Sequence, residues 1–320
     1  MTAAAQAPAS YPAAPFHADV AQGPAGGYAL WLTAADGVRL RLGIWPEGSK
    51  GTVLILPGRT EYIEKYGRAA EDLRRRGYAT AVLDFRGQGL AARPNADRML
   101  GHVDHFDEYQ RDLAAMLAAA RAQGLPEPFY MIAHSMGGCI GLRALMNRFP
   151  VKAVVLSGPM LGVNLAPWIK PFTGAVGAML GPFRQTYRYA PGTSAQAYLL
   201  SAPAHGNMLT SDHDMWDYMR HQVATHPDLA LGGPSLGWVH AALQECGALS
   251  NLPAPDVPCV TALGTAERVV ATLPVHLRMA GWKNGRLDLY AGAEHEVMME
   301  TPSHRARFFD SAAALFAAHP

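Results

Sequence analysis

YMIAHSMGGCIG, residues 130–141, runs an apolar stretch straight into a serine flanked by small residues. Residues 129–134 read as a buried strand, and the stretch that follows Ser135 reads as a helix. A serine held at such a strand–helix corner must adopt a strained backbone. The residues two before and two after it must then be small, or their side chains strike the helix and the neighbouring strand. Ala133 and Gly137 meet that demand. Ser135 is therefore expected to be a nucleophile; the alternative is a tight turn with an incidental serine.

Working outward, the same rhythm recurs on both sides. GYALWLTAADGVRLRLGIWPEG (27–48) predicts two antiparallel strands around the Asp36-Gly37 turn. Strands then alternate with helices: TVLILPG, YIEKYGRAAEDLRRRG, YATAVLDFRG, HFDEYQRDLAAMLAAARAQG, FYMIAHS, MGGCIGLRALMNRF and VKAVVLSGP. That alternation predicts a mostly parallel sheet with helices on both faces. From about Met160 to Glu245 the alternation stops, and it resumes with CVTALG, a helix around VVATLPVHLRMAG, RLDLYAG and a final helix. The reading is an α/β fold of eight strands: a flexible tail over 1–27, a core over 28–159, an inserted cap over 160–245 and the rest of the core over 246–320.

Composition narrows the function. Lys+Arg and Asp+Glu number 27 and 26, a balance that argues against nucleic-acid binding through bulk charge. Three scattered cysteines, Cys139, Cys246 and Cys259, form neither a disulfide framework nor a metal-ligand pattern and fit a reducing cytoplasm. The Ala/Pro/Gly-rich start lacks the basic and apolar regions of a secretory signal. The histidines between 205 and 240 lack the paired spacing of a zinc site, so neither metal nor cofactor is expected.

A serine hydroxyl needs a base, and the base needs an acid to orient it. In this architecture they follow in the order serine, acid, histidine. His295 lies in the loop after the last predicted strand, and Glu267 is the carboxylate that follows CVTALG. Asp256 precedes a strand and Asp288 lies within one, so neither is placed to reach His295; an ion pair of Glu267 with Arg268 or Arg286 is the competing reading. An oxyanion hole requires two main-chain N–H groups, expected from Met136 and from Arg59, where Gly58 lets the backbone come close. The Arg59 side chain is expected to pair with Glu61 or Glu64, and Asp84 and Arg86 to brace their loop.

With LPGRTEYIEKY, DFRGQGLAARP, HFDEYQRDL, AHSMGG, LGTAERVV and AEHEVMME in that order, residues 28–318 resemble the α/β-hydrolase superfamily. Within it the chain is similar to the monoacylglycerol lipase and lysophospholipase L2 group, the serine aminopeptidase S33-like hydrolases; NMLTSDHDMWDYMR and LALGGPSLGW add to that likeness. The resemblance implies an ester hydrolase acting on a single-acyl lipid. Pro57-Gly58 stands where lipases commonly have His-Gly, which removes a side chain that braces the loop, and Gln88 and Ala91 replace a common His and Ser. No cluster of acids is evident that would hold a free α-amino group, so peptidase activity is not expected.

Trp168, Phe172, Met179 and Trp216 are candidates for the acyl site. PWIKPFTGAVGAMLGPF (167–183) carries one charge, Lys170; it is read either as a cap helix or as a segment in peripheral contact with the inner face of the membrane. Two alternatives to a lipid hydrolase stand: a short-chain carboxylesterase or amidase with the same triad, and a binding protein that keeps the fold without its chemistry.

Overall fold

Strand β4 (Thr52–Leu56) lies between β5 (Ala79–Asp84) and β6 (Phe129–His134), parallel to both. The chain thus leaves β4 for one side and later returns to the other. The crevice beyond the strand C-termini at such a reversal is where α/β sheets bind ligands. The computed structural model describes residues 11–93, 95–164 and 185–320.

The sheet has nine strands in the order β1-β2-β3-β5-β4-β6-β7-β8-β9. β1 (Ala13–Ala14), β2 (Tyr28–Thr33) and β3 (Arg39–Trp45) are antiparallel to their neighbours. β7 (Val154–Ser157), β8 (Cys259–Gly264) and β9 (Gly285–Tyr290) continue the parallel part. Alternation along the central strands feeds two cores. Leu54, Leu56, Met131 and Ala133 face one, with α3 (Glu108–Ala122), α4 (Met136–Met146) and the helix Leu236–Ser250. Val53, Ile55, Tyr130 and Ile132 face the other, with α2 (Gly67–Arg75) and the final helix Pro302–Ala317.

The ninth strand corrects the expected count of eight. It comes from the segment read as a flexible tail, which from residue 11 onward is held in place: Ala13 and Ala14 pair with Leu30 and Ala29. The short helix α1 (Ala18–Ala21) buries Val20 and Ala21. Its carbonyls accept from buried side chains, Ala21 from the Tyr218 hydroxyl at 2.7 Å and Val20 from the Gln222 amide at 3.0 Å. A Cβ on Gly67 would stand 1.8 Å from the Ala21 carbonyl oxygen. What orders this stretch is main-chain hydrogen bonding to distant donors, which its composition does not reveal.

Between β7 and β8 the described chain builds the helices Tyr198–Ser201, His213–Thr225 and Leu236–Ser250. Asp212 caps the second, accepting from the Met215 N–H at 2.8 Å. The third runs through residue 245, where the insertion was expected to end, and Glu245 pairs there with Arg143 of α4 at 2.6 Å. Trp168, Phe172 and Met179 lie outside the described residues. Among the described residues no helix is long and apolar enough to cross a membrane.

Arg41 of β3 ties the front of the sheet together. It is fully buried and donates to Asp84 at 2.7 Å and to both Glu64 oxygens at 2.8 Å. Asp84 also accepts from the Ile63 and Leu90 amides, each at 2.9 Å, which is the loop-bracing role expected of it. Removing one member of such a group strands the remaining charges. Arg41→Met is therefore expected to lower the unfolding free energy by about 3–5 kcal/mol, read from urea denaturation at neutral pH; a loss below about 1 kcal/mol would mean that the pair behaves like a surface contact.

Candidate active site

Ser135 sits at φ 51° and ψ −117°, the left-handed side of the map that non-glycine residues avoid. The strain is held by four main-chain hydrogen bonds: its N–H donates to Ser157 at 3.0 Å, and its carbonyl accepts from Gly138, Cys139 and Met160 at 2.9, 3.3 and 2.9 Å. The small flanking residues are needed sterically. A Cβ on Gly137 would stand 2.1 Å from the Leu56 carbonyl oxygen, and one on Gly138 would stand 2.6 Å from Pro159. The hydroxyl opens into a cavity of about 270 Å³ and bonds to no other described residue.

His295 lines the same cavity. Its Nδ1 lies 2.6 Å from Glu267 Oε2, while Glu267 Oε1 accepts from the Val269 and Val270 amides at 2.6 and 3.1 Å. Burial alone would push the Glu267 carboxyl up, but the His295 hydrogen bond and charge, with the two amides, hold it below the ordinary range. The competing partners of Glu267 are engaged elsewhere: Arg268 with Glu294 at 2.6 Å and Arg286 with Asp288 at 2.8 Å. Asp256 accepts from Asn284, so neither alternative acid joins His295. Gly158, which sequence reasoning missed, leaves room for the pair. At φ +48° its missing Cβ would stand 3.2 Å from His295 Nδ1 and 3.3 Å from Glu267 Oε2.

Arg59 and Met136 also line the cavity, and among the described residues neither main-chain N–H has an acceptor. The loop that carries Arg59 is braced by side chains. Gln88 donates to the Gly58 carbonyl at 2.9 Å and accepts from the Thr60 amide at 3.1 Å, and Glu61 accepts from the Gly58 amide and the Tyr66 hydroxyl. Gln88 thus supplies a brace in place of the one that Pro57 removes. The Arg59 side chain pairs with neither Glu61 nor Glu64. Glu64 is taken by Arg41 and Glu61 by Lys65, and the guanidinium instead reaches the Gly232 carbonyl at 2.6 Å.

The fold makes one cluster the sequence did not disclose. Lys65 lies 2.7 Å from Glu61 and 2.5 Å from Glu296, all three buried and all lining the cavity. Two acids are thereby brought together, but the Lys65 ammonium stands between them. His134 lies beside the cluster, its Nε2 3.5 Å from Glu61 and its Nδ1 bonded to the Ser157 carbonyl at 2.9 Å. Burial pushes His134 down to about 3, so it is neutral at physiological pH. Glu61, His134 and Glu296 could together ligate a cation only by displacing Lys65; a second such group, His17, His226 and Asp228, lies away from the cavity.

The remaining lining is apolar and includes Met160, Leu199, Leu209, Val223, Leu231, Trp238 and Val270. Trp216, expected at the acyl site, does not line the cavity. It is buried behind Tyr198, which does, with ring centroids 6.1 Å apart. An apolar cavity with a few convergent polar groups around a nucleophile suits a small molecule that is largely hydrocarbon.

A family described as serine aminopeptidase, S33 matches residues 47–302. Lysophospholipase L2 of Escherichia coli K12 is 30% identical over 265 residues, 79% of this chain and 76% of that one. A crystal structure of a soluble variant of monoglyceride lipase from Saccharomyces cerevisiae, in complex with a substrate analog, covers 90% of this chain and 94% of its own at a TM-score of 0.69 and 22% identity. A carboxyl esterase from Bacillus coagulans in complex with glycerol covers 92% and 99% at a TM-score of 0.71 and 14% identity. At these identities the two structures speak for the fold.

Two outcomes follow from the geometry. Gly158→Ala is expected to displace the His295–Glu267 pair and lower ester turnover by roughly 10- to 100-fold, with some loss of stability because alanine is strained at φ +48° and its Cβ would stand 2.9 Å from the His295 carbonyl oxygen; wild-type turnover would remove the steric argument. Glu61 is held down to about 2 against an ordinary 4.5: burial opposes this, and the charge of Lys65 with bonds from Lys65 and Tyr66 outweighs it. A depressed carboxyl stabilises the fold fully above its unfolded value and loses that contribution as pH falls through the folded one. The stability gap between wild type and Glu61→Gln is therefore expected to be widest at neutral pH and to shrink from pH 4.5 toward 2, as followed by urea unfolding; a gap independent of pH would contradict it.

Proposed function

The chain belongs to the serine aminopeptidase S33 family and is a relative of lysophospholipase L2, and from that premise we propose that it hydrolyses the carboxylic ester of single-acyl lipids through an acyl-enzyme on Ser135. The observation that carries this reading is the meeting, in one mostly apolar cavity, of a strained serine and a histidine whose far nitrogen is held 2.6 Å from a buried glutamate.

In this mechanism Ser135 Oγ attacks the ester carbonyl carbon while His295 Nε2 takes its proton. Glu267 keeps the Nδ1–H tautomer and stabilises the imidazolium that forms. The tetrahedral oxygen accepts from the Arg59 and Met136 amides. As the carbon–oxygen bond breaks, His295 returns the proton to the leaving alcohol, and the acyl group remains on Ser135. Water, deprotonated by His295, then attacks the acyl-enzyme and releases the fatty acid.

We read residues 160–245 as a cap over the acyl chain, since Tyr198, Leu199, Leu209, Val223 and Leu231 of that stretch line the cavity. Membrane contact through 167–183 rests on its sequence alone, seventeen residues with a single charge. Peptidase chemistry is not favoured, because Lys65 already stands between Glu61 and Glu296, where a substrate ammonium would bind.

The test is fatty-acid release from a series of esters of rising chain length, including a lysophospholipid and a monoacylglycerol. Long-chain release is expected, and Ser135→Ala is expected to abolish it, at least about 10³-fold. Glu267→Gln is expected to lower kcat by about 10²- to 10⁴-fold by releasing the imidazole tautomer. Turnover confined to short esters would make the protein a general carboxylesterase, and no covalent labelling by a fluorophosphonate would make the fold a binding scaffold.

A further inference from the structure

Buried cations in this molecule are matched by carboxylates. Arg41 has Glu64 and Asp84, Lys65 has Glu61 and Glu296, and Arg86 has Asp36, Glu108 and Asp112. Arg59, which is half-buried, differs from them. Among the described residues no carboxylate lies within ion-pair distance of it, and the residues outside that set, 1–10, 94 and 165–184, contain no Asp or Glu. Its Nη2 donates to the Gly232 carbonyl, its Nε is buried without a partner, and its Cζ lies 5.4 Å from the Trp238 ring centroid. Arg93 has no carboxylate either, but four carbonyls, those of Gly89, Arg98, Asp228 and Ala230, accept from it. A charge partly withdrawn from water and left without a carboxylate is costly to the fold, and burial draws the Arg59 guanidinium down to about 10.

Arg59 lines the cavity into which Ser135 opens. We propose that the Arg59 guanidinium binds the phosphate of the substrate, so that the enzyme selects phosphate-bearing single-acyl lipids over neutral ones. This deepens the ester-hydrolase reading and rests on it. A guanidinium presents a planar fork that matches phosphate oxygens, and its attraction for an anion is strengthened in a cavity walled by apolar groups. One residue then addresses both ends of the polar part of the substrate: its main-chain N–H serves the ester oxygen, and its side chain serves the phosphate one glycerol away. Lys65 bridges the Glu61 and Glu296 carboxylates that share the cavity, which leaves one net negative charge there for the Arg59 guanidinium to outweigh. Gly101 keeps the slot open, because a Cβ there would stand 2.7 Å from Arg59 Nη2.

The test compares kcat/KM for a lysophosphatidylglycerol and for the monoacylglycerol with the same acyl chain, both below their micellar concentrations. The ratio of the two is the readout, because any effect on the shared chemistry divides out. Arg59→Met is expected to lower the ratio at least tenfold, and Gly101→Ala, which leaves Arg59 in the chain but crowds its guanidinium, to shift it the same way. A ratio unmoved in both variants overturns the proposal, even if the separate rates fall. If Arg59→Met does not fold, Gly101→Ala and inhibition of wild type decide. Glycerol 3-phosphate is expected to compete with monoacylglycerol where glycerol does not; no competition overturns the proposal, and competition by inorganic phosphate of equal strength overturns the lipid head group as the source of the anion. Hydrolysis of neither lipid by wild type would instead refute the ester-hydrolase reading on which it rests.

Discussion

Lys65 joins the two halves of the site. Its ammonium reaches Glu61, in the loop after β4, and Glu296, the neighbour of His295 in the loop after β9. Those loops are more than two hundred residues apart in the chain, and each carries a part of the proposed chemistry. Glu61 in turn receives the Gly58 amide, so the main chain that presents the Arg59 N–H is referenced to the same lysine as the histidine loop. Buried ion pairs contribute little net stability when compared with apolar packing, and here the geometry suggests a fixed register between loops as their role.

The site also shows how a local departure from a pattern is compensated at a distance. Pro57 removes a brace that a histidine would supply, and Gln88, from the loop after β5, bonds the same segment from the side through Gly58 and Thr60. Ala133 takes the place of a customary glycine at the serine corner, whereas a Cβ at Gly137 would stand 2.1 Å from the Leu56 carbonyl oxygen. The two positions are equivalent as small residues in sequence and inequivalent in space.

Much of this was legible beforehand. Ser135, Glu267 and His295 could each be read as candidates because strand–turn–helix order restricts which loop a side chain can occupy. The parallel sheet was legible because buried strands alternate visibly with amphipathic helices. Less legible were the first strand, the helix that runs past residue 245 and the burial of Trp216 behind Tyr198. The first depends on the pairing of Ala13 and Ala14 with Leu30 and Ala29, and the others on which face of a helix meets the core.

The sequence by itself determined the order of elements, the strained serine corner and the identity of the acid and base candidates, because short-range sterics and periodicity act along the chain. Only the tertiary structure decided the pairing of charges. Arg59 stands two residues from Glu61 and five from Glu64, yet Arg41 and Lys65 take those carboxylates, and the Arg59 guanidinium reaches the Gly232 carbonyl instead. Ion pairing depends on distance and burial in three dimensions, and proximity along a chain does not specify either.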